Sequence, residues 1–126
     1  MAQLFLIKNN PAASSSDKNQ AQLLVTDLKK AESILSRGIG LLRRKQIAKT
    51  EALWIKPGNN IHTFFMRFSI DCIFIDSKMR VQRVYANVKP FRFAGPVWKA
   101  SSVIETAAGQ CEVWQIKSGD QLYVVD

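Results

Sequence analysis

The sequence predicts a mainly β fold (β-rich α+β): one compact domain, a β-barrel or sandwich of about seven short strands with one or two short helices. Three observations carry this. From residue 51 onward, short apolar runs alternate with turn-forming residues at close intervals, as they do in all-β chains. The runs at 70–75 and 122–125 are apolar at successive positions, which marks strands covered on both faces. The length, 126 residues with 47% hydrophobic and 22% charged, suits one globular core spanning 1–126. The same composition excludes a disordered, collagen-like or coiled-coil chain.

Taken in order, residues 3–8 read as a first strand and the polar, small-residue stretch 9–20 as a mobile loop. Leu23 to Val25 make a short strand. Thr26 or Asp27 can then cap a helix whose apolar positions Leu28, Ala31, Ile34 and Leu35 recur at helical spacing, with Gly38 as its C-terminal cap. Residues 39–49 are apolar, then basic, and suit a second short helix. Pro57-Gly58 has the chemistry of a type II turn, so 52–56 and 61–66 are expected to pair as a hairpin. A second hairpin joins 70–75 to 79–86 through Asp76-Ser77-Lys78, and the face of its second strand shifts across Gln82-Arg83, which suggests a β-bulge. Residues 89–99 form a loop and 103–107 a strand. A short helix within 109–116 closes at Ser118-Gly119, and 122–125 is the last strand.

Eighteen Lys and Arg stand against ten Asp and Glu, a formal charge of +8. The excess is concentrated. Residues 28–49 hold seven basic residues and one acid, and residues 78–99 hold six basic residues and none. Such blocks attract polyanions, or serve simply as a solvated face. Arg37, Arg43, Arg44, Lys45, Arg92 and Lys99 are the candidate polyanion contacts. In the loop 89–99, Phe91, Phe93 and Trp98 alternate with cations, a pattern that can stack bases. With no recognisable nucleic-acid motif beside them, these rings read first as anchors tucked beneath the sheet. No apolar run approaches the roughly 20 residues a membrane-spanning helix needs, and no secretory leader is visible, so a cytoplasmic protein is expected. Cys72 and Cys111 lack metal-ligand or redox spacing and read as buried, reduced thiols.

The chain contains one histidine, so acid/base chemistry through imidazole must use His62. Asp71, at the start of the next strand, is the candidate partner that would fix its tautomer. No nucleophile elbow accompanies them, and Ser69 is the nearest hydroxyl. A soft-metal set of His62 and Met66 with Met79 or Cys72 is chemically conceivable, but methionines at strand spacing are usually core. Gly38-Ile39-Gly40 lacks the rest of any phosphate-binding fingerprint. No metal or other cofactor is implied.

The run His62-Thr63-Phe64-Phe65-Met66-Arg67-Phe68-Ser69-Ile70-Asp71-Cys72-Ile73-Phe74-Ile75-Asp76 resembles the bacterial and archaeal family called domain of unknown function 192. Arg37-Gly38-Ile39-Gly40-Leu41-Leu42, Met79 to Val84, Ile104-Glu105 through Ala108-Gly109 and Ile116 to Asp120 resemble its other elements, in order, so the likeness spans about 22–126. Ser69 stands where members usually carry proline, and many members carry an export signal not visible here. The resemblance implies a compact β-rich fold and no established activity. It places the family's motif positions on His62, Met66, Asp71 and Glu105.

The functional expectation is therefore a non-enzymatic binding or accessory module, with a pocket near His62, Met66 and Asp71 and Glu105 as a neighbour. Its partner would be a small molecule or a protein. The first alternative is a small hydrolase or isomerase using His62 and Asp71. The second is sequence-independent nucleic-acid binding by the basic blocks 28–49 and 78–99.

Overall fold

A computed structural model describes residues 2–8, 20–31 and 44–126. Its strands are β1 (Ala2–Ile7), β2 (Gln22–Ala31), β3 (Glu51–Ile55), β4 (Ile61–His62), β5 (Ile70–Ile75), β6 (Val81–Val88), β7 (Phe93–Ala94), β8 (Ser102–Ala107) and β9 (Gln121–Val125), with one short helix, α1 (Gln110–Trp114), before β9. Seven strands form a mixed sheet in the order β6-β5-β8-β3-β2-β1-β9, and β4 pairs only with β7. Every neighbouring pair in the large sheet is antiparallel except β2 and β3.

The mainly β class stands, but the sheet is not a closed barrel. Its edge strands meet at one bridge, Arg80 against Gln121. Val81 and Leu122 donate across it to Asp120 and Met79 (2.8 and 2.9 Å), and Gly119 donates to Val81 (2.8 Å). The contact ends there, so no ladder seals the two edges. The second sheet is a two-stranded patch, β4 with β7, whose Ile61 and Ala94 cover one face of the large sheet.

Strand alternation divides the interior into two cores, one on each face of the sheet. Leu4, Leu6, Val25, Leu28, Trp54, Ile73, Ile75, Ile104 and Leu122 pack on one face with Cys111, Trp114 and Ile116 from α1 and the residues after it. Ile70, Cys72, Phe74 and Val103 point to the other face, where Ile47, Ile61, Met66, Val88 and Ala94 cover them. β5 is buried at all six positions, as its unbroken apolar run predicts. β9 is not: it is an edge strand, and only Leu122 is buried.

Two sequence expectations fail for identifiable reasons. The helix expected from residue 28 is instead the second half of β2, as far as residue 31; residues 32–37 of that helix, the Gly38 cap and most of the 9–20 loop lie outside the described residues, as does the first part of the helix expected within 39–49. In β2 the buried positions are Leu24, Val25, Leu28 and Ala31. Register shifts against β1 fall between the partners of Leu28 and Val25 and again between those of Val25 and Leu23. The bulge between Val25 and Leu28 slips the alternation by one residue and sets these two buried side chains three apart, whereas the Leu28-to-Ala31 step that imitated a helix runs in unbroken register against β3.

The hairpin expected across Pro57-Gly58 is also absent. β3 bonds to β2 on one side and β8 on the other, leaving no free edge for 61–66. The Lys56–Pro57 peptide is cis, Gly58 is not left-handed, and its N–H donates to the Ser101 carbonyl (2.9 Å). The second hairpin forms as expected. Ile75 faces Val81 while Phe74 faces Arg83, which puts a bulge at Gln82.

Candidate functional site

Thr63 organises the region around the histidine. It is fully buried, and its backbone N–H donates to Arg92 O (2.9 Å) while its carbonyl accepts from Phe91 N–H (3.0 Å) and Met66 N–H (3.2 Å). Its hydroxyl donates to Lys89 O (2.6 Å) and accepts from Arg92 N–H (2.9 Å). One threonine thus binds the 61–66 segment to the 89–93 segment, and the β4–β7 pairing extends that join. Gly95 is left-handed, and a Cβ there would stand 2.7 Å from the Asn59 carbonyl oxygen, so this loop can close against residues 59–60 only with glycine.

Alternation in β4 and β7 buries Ile61 opposite Ala94 and turns His62 outward opposite Phe93. Around the imidazole the rings form a string. Centroid distances are 5.2 Å from His62 to Phe64, 4.8 Å from Phe64 to Phe93, 6.2 Å from Phe64 to Phe91 and 5.6 Å from Phe91 to Phe65. Phe65, Phe91 and Phe93 are 72%, 56% and 73% exposed, and Trp98, in the following loop, is 82% exposed. The three phenylalanines leave on the order of 400 Å² in water, within the range of the largest patch on an ordinary monomer, a patch that is often functional. The expectation that Phe91, Phe93 and Trp98 are tucked beneath the sheet is therefore overturned. Phe65 and Phe91 both hold positive φ, 66° and 61°, a costly conformation for a bulky side chain.

The sequence-derived site residues divide between the two faces of the sheet: Asp71 lies on the first-core side, whereas Glu105, opposite Cys72, and Met66 lie on the second-core side that the His62 segment covers. His62 Nδ1 accepts from the Phe64 N–H (3.3 Å). Among the described residues it pairs with no carboxylate. Asp71 lies in β5 on the face opposite Cys72 and Ile70, wholly buried. Its carboxylate accepts from the backbone N–H groups of Asn87 (2.8 Å), Gly109 (3.1 Å) and Cys111 (2.9 Å). Those bonds fasten β6 and the start of α1 to the sheet and turn the carboxylate away from the histidine. Met66 is buried in the second core, beneath the rim.

Glu105, in β8, sits opposite Leu53 and Cys72. It is 5% exposed, no described residue donates a hydrogen bond to its carboxyl, and burial pushes its pKa up to about 7. Burial also raises the thiol pKa of Cys72 and of Cys111, each well above the ordinary range, with nearby carboxylates adding to the effect. Both are free and buried. His62, Met66, Met79 and Cys72 do not assemble as soft ligands: His62 is on the surface, Met66 and Cys72 are in the second core, and Met79 packs on the first. Among the described residues no three His, Cys, Asp or Glu side chains cluster as a metal site.

The basic candidates divide as well. Arg37 and Arg43 lie outside the described residues. Arg44 is committed to Glu51 through two bonds of 2.8 Å, and Lys45 is exposed. β6 separates Lys78 and Arg80 from Lys89 and Arg92 by eight residues, about 25 Å. Block 78–99 thus runs from one end of β6 to the other, with Arg83 exposed along the strand over Tyr85, and Arg92 and Lys99 belong to the rim end.

A cleft of about 690 Å³ opens elsewhere, between Trp54, Lys56, Asp76, Met79, Ser101 and Ser102. Its indole donates to Ser102 Oγ (2.9 Å) and carries the Lys56 and Lys30 ammonium groups 4.3 and 5.5 Å from its centroid. Those lysines cover the ring that would otherwise be open to a ligand. Sequence reasoning missed this cleft, and it missed Thr63, Phe64 and Phe65 at the rim. The Phe-Phe pair, which cannot alternate in a strand, was the available signal.

A small mixed-sheet β domain with an aromatic rim is thus the class of protein that fold and surface define. The chain belongs to the family DUF192, "Uncharacterized ACR, COG1430", which it matches over residues 15–124. A UPF0127 protein of Pyrococcus horikoshii is 35% identical over 97 residues, covering 73% of this chain and 82% of the relative. A Thermococcus sibiricus UPF0127 protein is 29% identical over 111 residues, 84% and 71% of the two chains. The fold is shared with a Novosphingobium aromaticivorans protein of unknown function at TM-score 0.78 and 16% identity, over 96% of this chain and 83% of that one. It is shared too with a Sinorhizobium meliloti protein provisionally described as a transcription regulator, at TM-score 0.76 and 17% identity, over 98% and 94%. Among the described residues no helix is long and apolar enough to cross a membrane.

Proposed function

We infer that this protein is a binding module rather than an enzyme, and that its contact surface is the aromatic rim around His62. One observation carries the reading: Phe65 and Phe91 are held in left-handed backbone and largely exposed, so the fold bears a conformational cost that no core packing returns. Strain kept in a bulky, exposed side chain is the signature of a display surface. The acid/base alternative has less support, because Asp71 is occupied by three backbone N–H groups and His62 by its own loop. His62 then serves as the first ring of the rim, and Met66 as the buried side chain beneath it.

Chemical-shift mapping on labelled protein, against pools of metal ions, metabolites, peptides and oligonucleotides, tests this. Shifts centred on 61–67 and 89–94 are expected with one class of ligand. Shifts confined to the Trp54 cleft, with the rim silent throughout, would overturn it.

A further inference from the structure

We propose that the rim takes single-stranded nucleic acid, its rings stacking on bases while the flanking cations meet the phosphates; this rests on the rim being the contact surface. Two features of the patch select that occupant. Between residues 60 and 100, every large hydrophobic side chain left in solvent is aromatic: Phe65, Phe91, Phe93 and Trp98. Exposed aromatic side chains with arginine also mark protein-binding hot spots, but a base in addition offers a flat π face to each ring.

The second feature is charge. Arg67, Lys89, Arg92 and Lys99 are exposed on the loops that carry the rings. The acids between 60 and 105 are Asp71, buried on the far face, Asp76, beyond the other end of β5, and Glu105, buried in β8 on the Cys72 face. The rim therefore combines exposed aromatic rings with cations that, among the described residues, pair with no carboxylate, and the partner it suits is both stackable and anionic. Five rings linked at 4.8 to 6.2 Å make a surface long enough for two or three bases. Stacking needs unpaired bases, so the duplex, whose faces are occupied, is excluded from this mode.

The test is fluorescence anisotropy of the whole protein with a labelled oligothymidylate of about 12 nucleotides, the matching duplex, and sedimentation with phosphatidylcholine–phosphatidylserine vesicles. The single strand is expected to bind more tightly than the duplex and the vesicles. Its log affinity should fall with log salt at a slope of about −2 to −3, as for three or four phosphate contacts. Phe91→Ala or Phe93→Ala, each at an exposed position, should weaken it about tenfold. Lys78→Gln with Arg80→Gln, at the other end of β6, should leave it unchanged. Equal binding of single strand and duplex, indifferent to the loss of Phe91 and Phe93, would overturn the proposal in favour of a diffuse basic field. Vesicle binding stronger than oligonucleotide binding, lost with those rings, would also overturn it, yet leave the rim as contact surface. A rim that responds to nothing would sink both readings.

Discussion

Replacing Glu105 by glutamine should make the protein more stable above neutrality. The carboxyl is nearly inaccessible in β8, faces Leu53 and Cys72, and receives no hydrogen bond from a described residue. Burial alone raises its pKa from 4.5 to about 7. The folded state therefore holds this proton more tightly than the unfolded chain does. Its stability is fully present below about pH 4.5, declines as pH rises, and levels off above about pH 7. At 1.36 kcal/mol per pH unit the decline is about 3 kcal/mol. Glutamine has the shape of the protonated acid and cannot ionise. Urea unfolding of both proteins at pH 4.5, 6 and 8 should give near-equal stabilities at the lowest pH and a gap widening toward about 3 kcal/mol at the highest, in favour of Glu105→Gln. Glu51 does not interfere, because its pKa is lowered and it titrates below this window. Stability profiles that run parallel from pH 4.5 to 8 would refute the reasoning.

Four further expectations concern the groups that hold the fold. Asp71→Asn presents an amide N–H₂ to backbone donors that now share a carboxylate, and should cost about 2–4 kcal/mol in denaturant unfolding. Thr63→Val keeps the shape and removes a buried hydroxyl that both donates and accepts; a loss of about 1–3 kcal/mol is expected, with amide exchange rising at residues 89–93. The native thiols, buried and with raised pKa, should resist a disulfide reagent at pH 8, and both should react in denaturant. Arg44 holds the Glu51 carboxyl down to about 2, so this pair's contribution is present above about pH 4.5 and lost as pH falls toward 2. The two groups are 38% and 17% exposed, and a double-mutant cycle should return no more than about 1 kcal/mol.

What the sequence revealed and what it hid divide along physical lines. The β5–β6 hairpin, its bulge at Gln82 and α1 depend on neighbours in sequence, and turn chemistry and local alternation were enough to find them. β2 misled because its buried Leu28 and Ala31 stand three apart, a spacing shared with a helix, and only pairing with β1 and β3 shows it to be a strand. The hairpin at Pro57 failed for a tertiary reason, since both edges of β3 were already taken. The rim was hidden for the same kind of reason. Whether Phe91 is an anchor or a display residue depends on Thr63, 26 to 29 positions from the carbonyl and N–H groups its hydroxyl contacts.

The two buried acids show how the candidate site divides. Asp71 faces Thr106 and Cys72 faces Glu105, so the two carboxyls sit one register step apart on adjacent strands. Alternation sends them to opposite faces, where one meets three backbone donors and the other meets none among the described residues. Asp71 is held as a charged anchor for β6 and α1, and its replacement should damage the fold. Glu105 is kept near neutral by its surroundings, and its replacement should relieve the fold. Asp71 lies on the face away from the His62 segment, whereas Glu105 lies buried on the face that this segment covers. Of the four positions that the family resemblance brought forward, Asp71, Glu105 and Met66 are interior residues, and only the histidine reaches solvent. On the proposed reading, recognition falls to what surrounds that histidine, the exposed phenylalanines and cations of the rim. Variants of Phe91 and Phe93 should therefore separate binding from stability, whereas variants of Asp71 cannot.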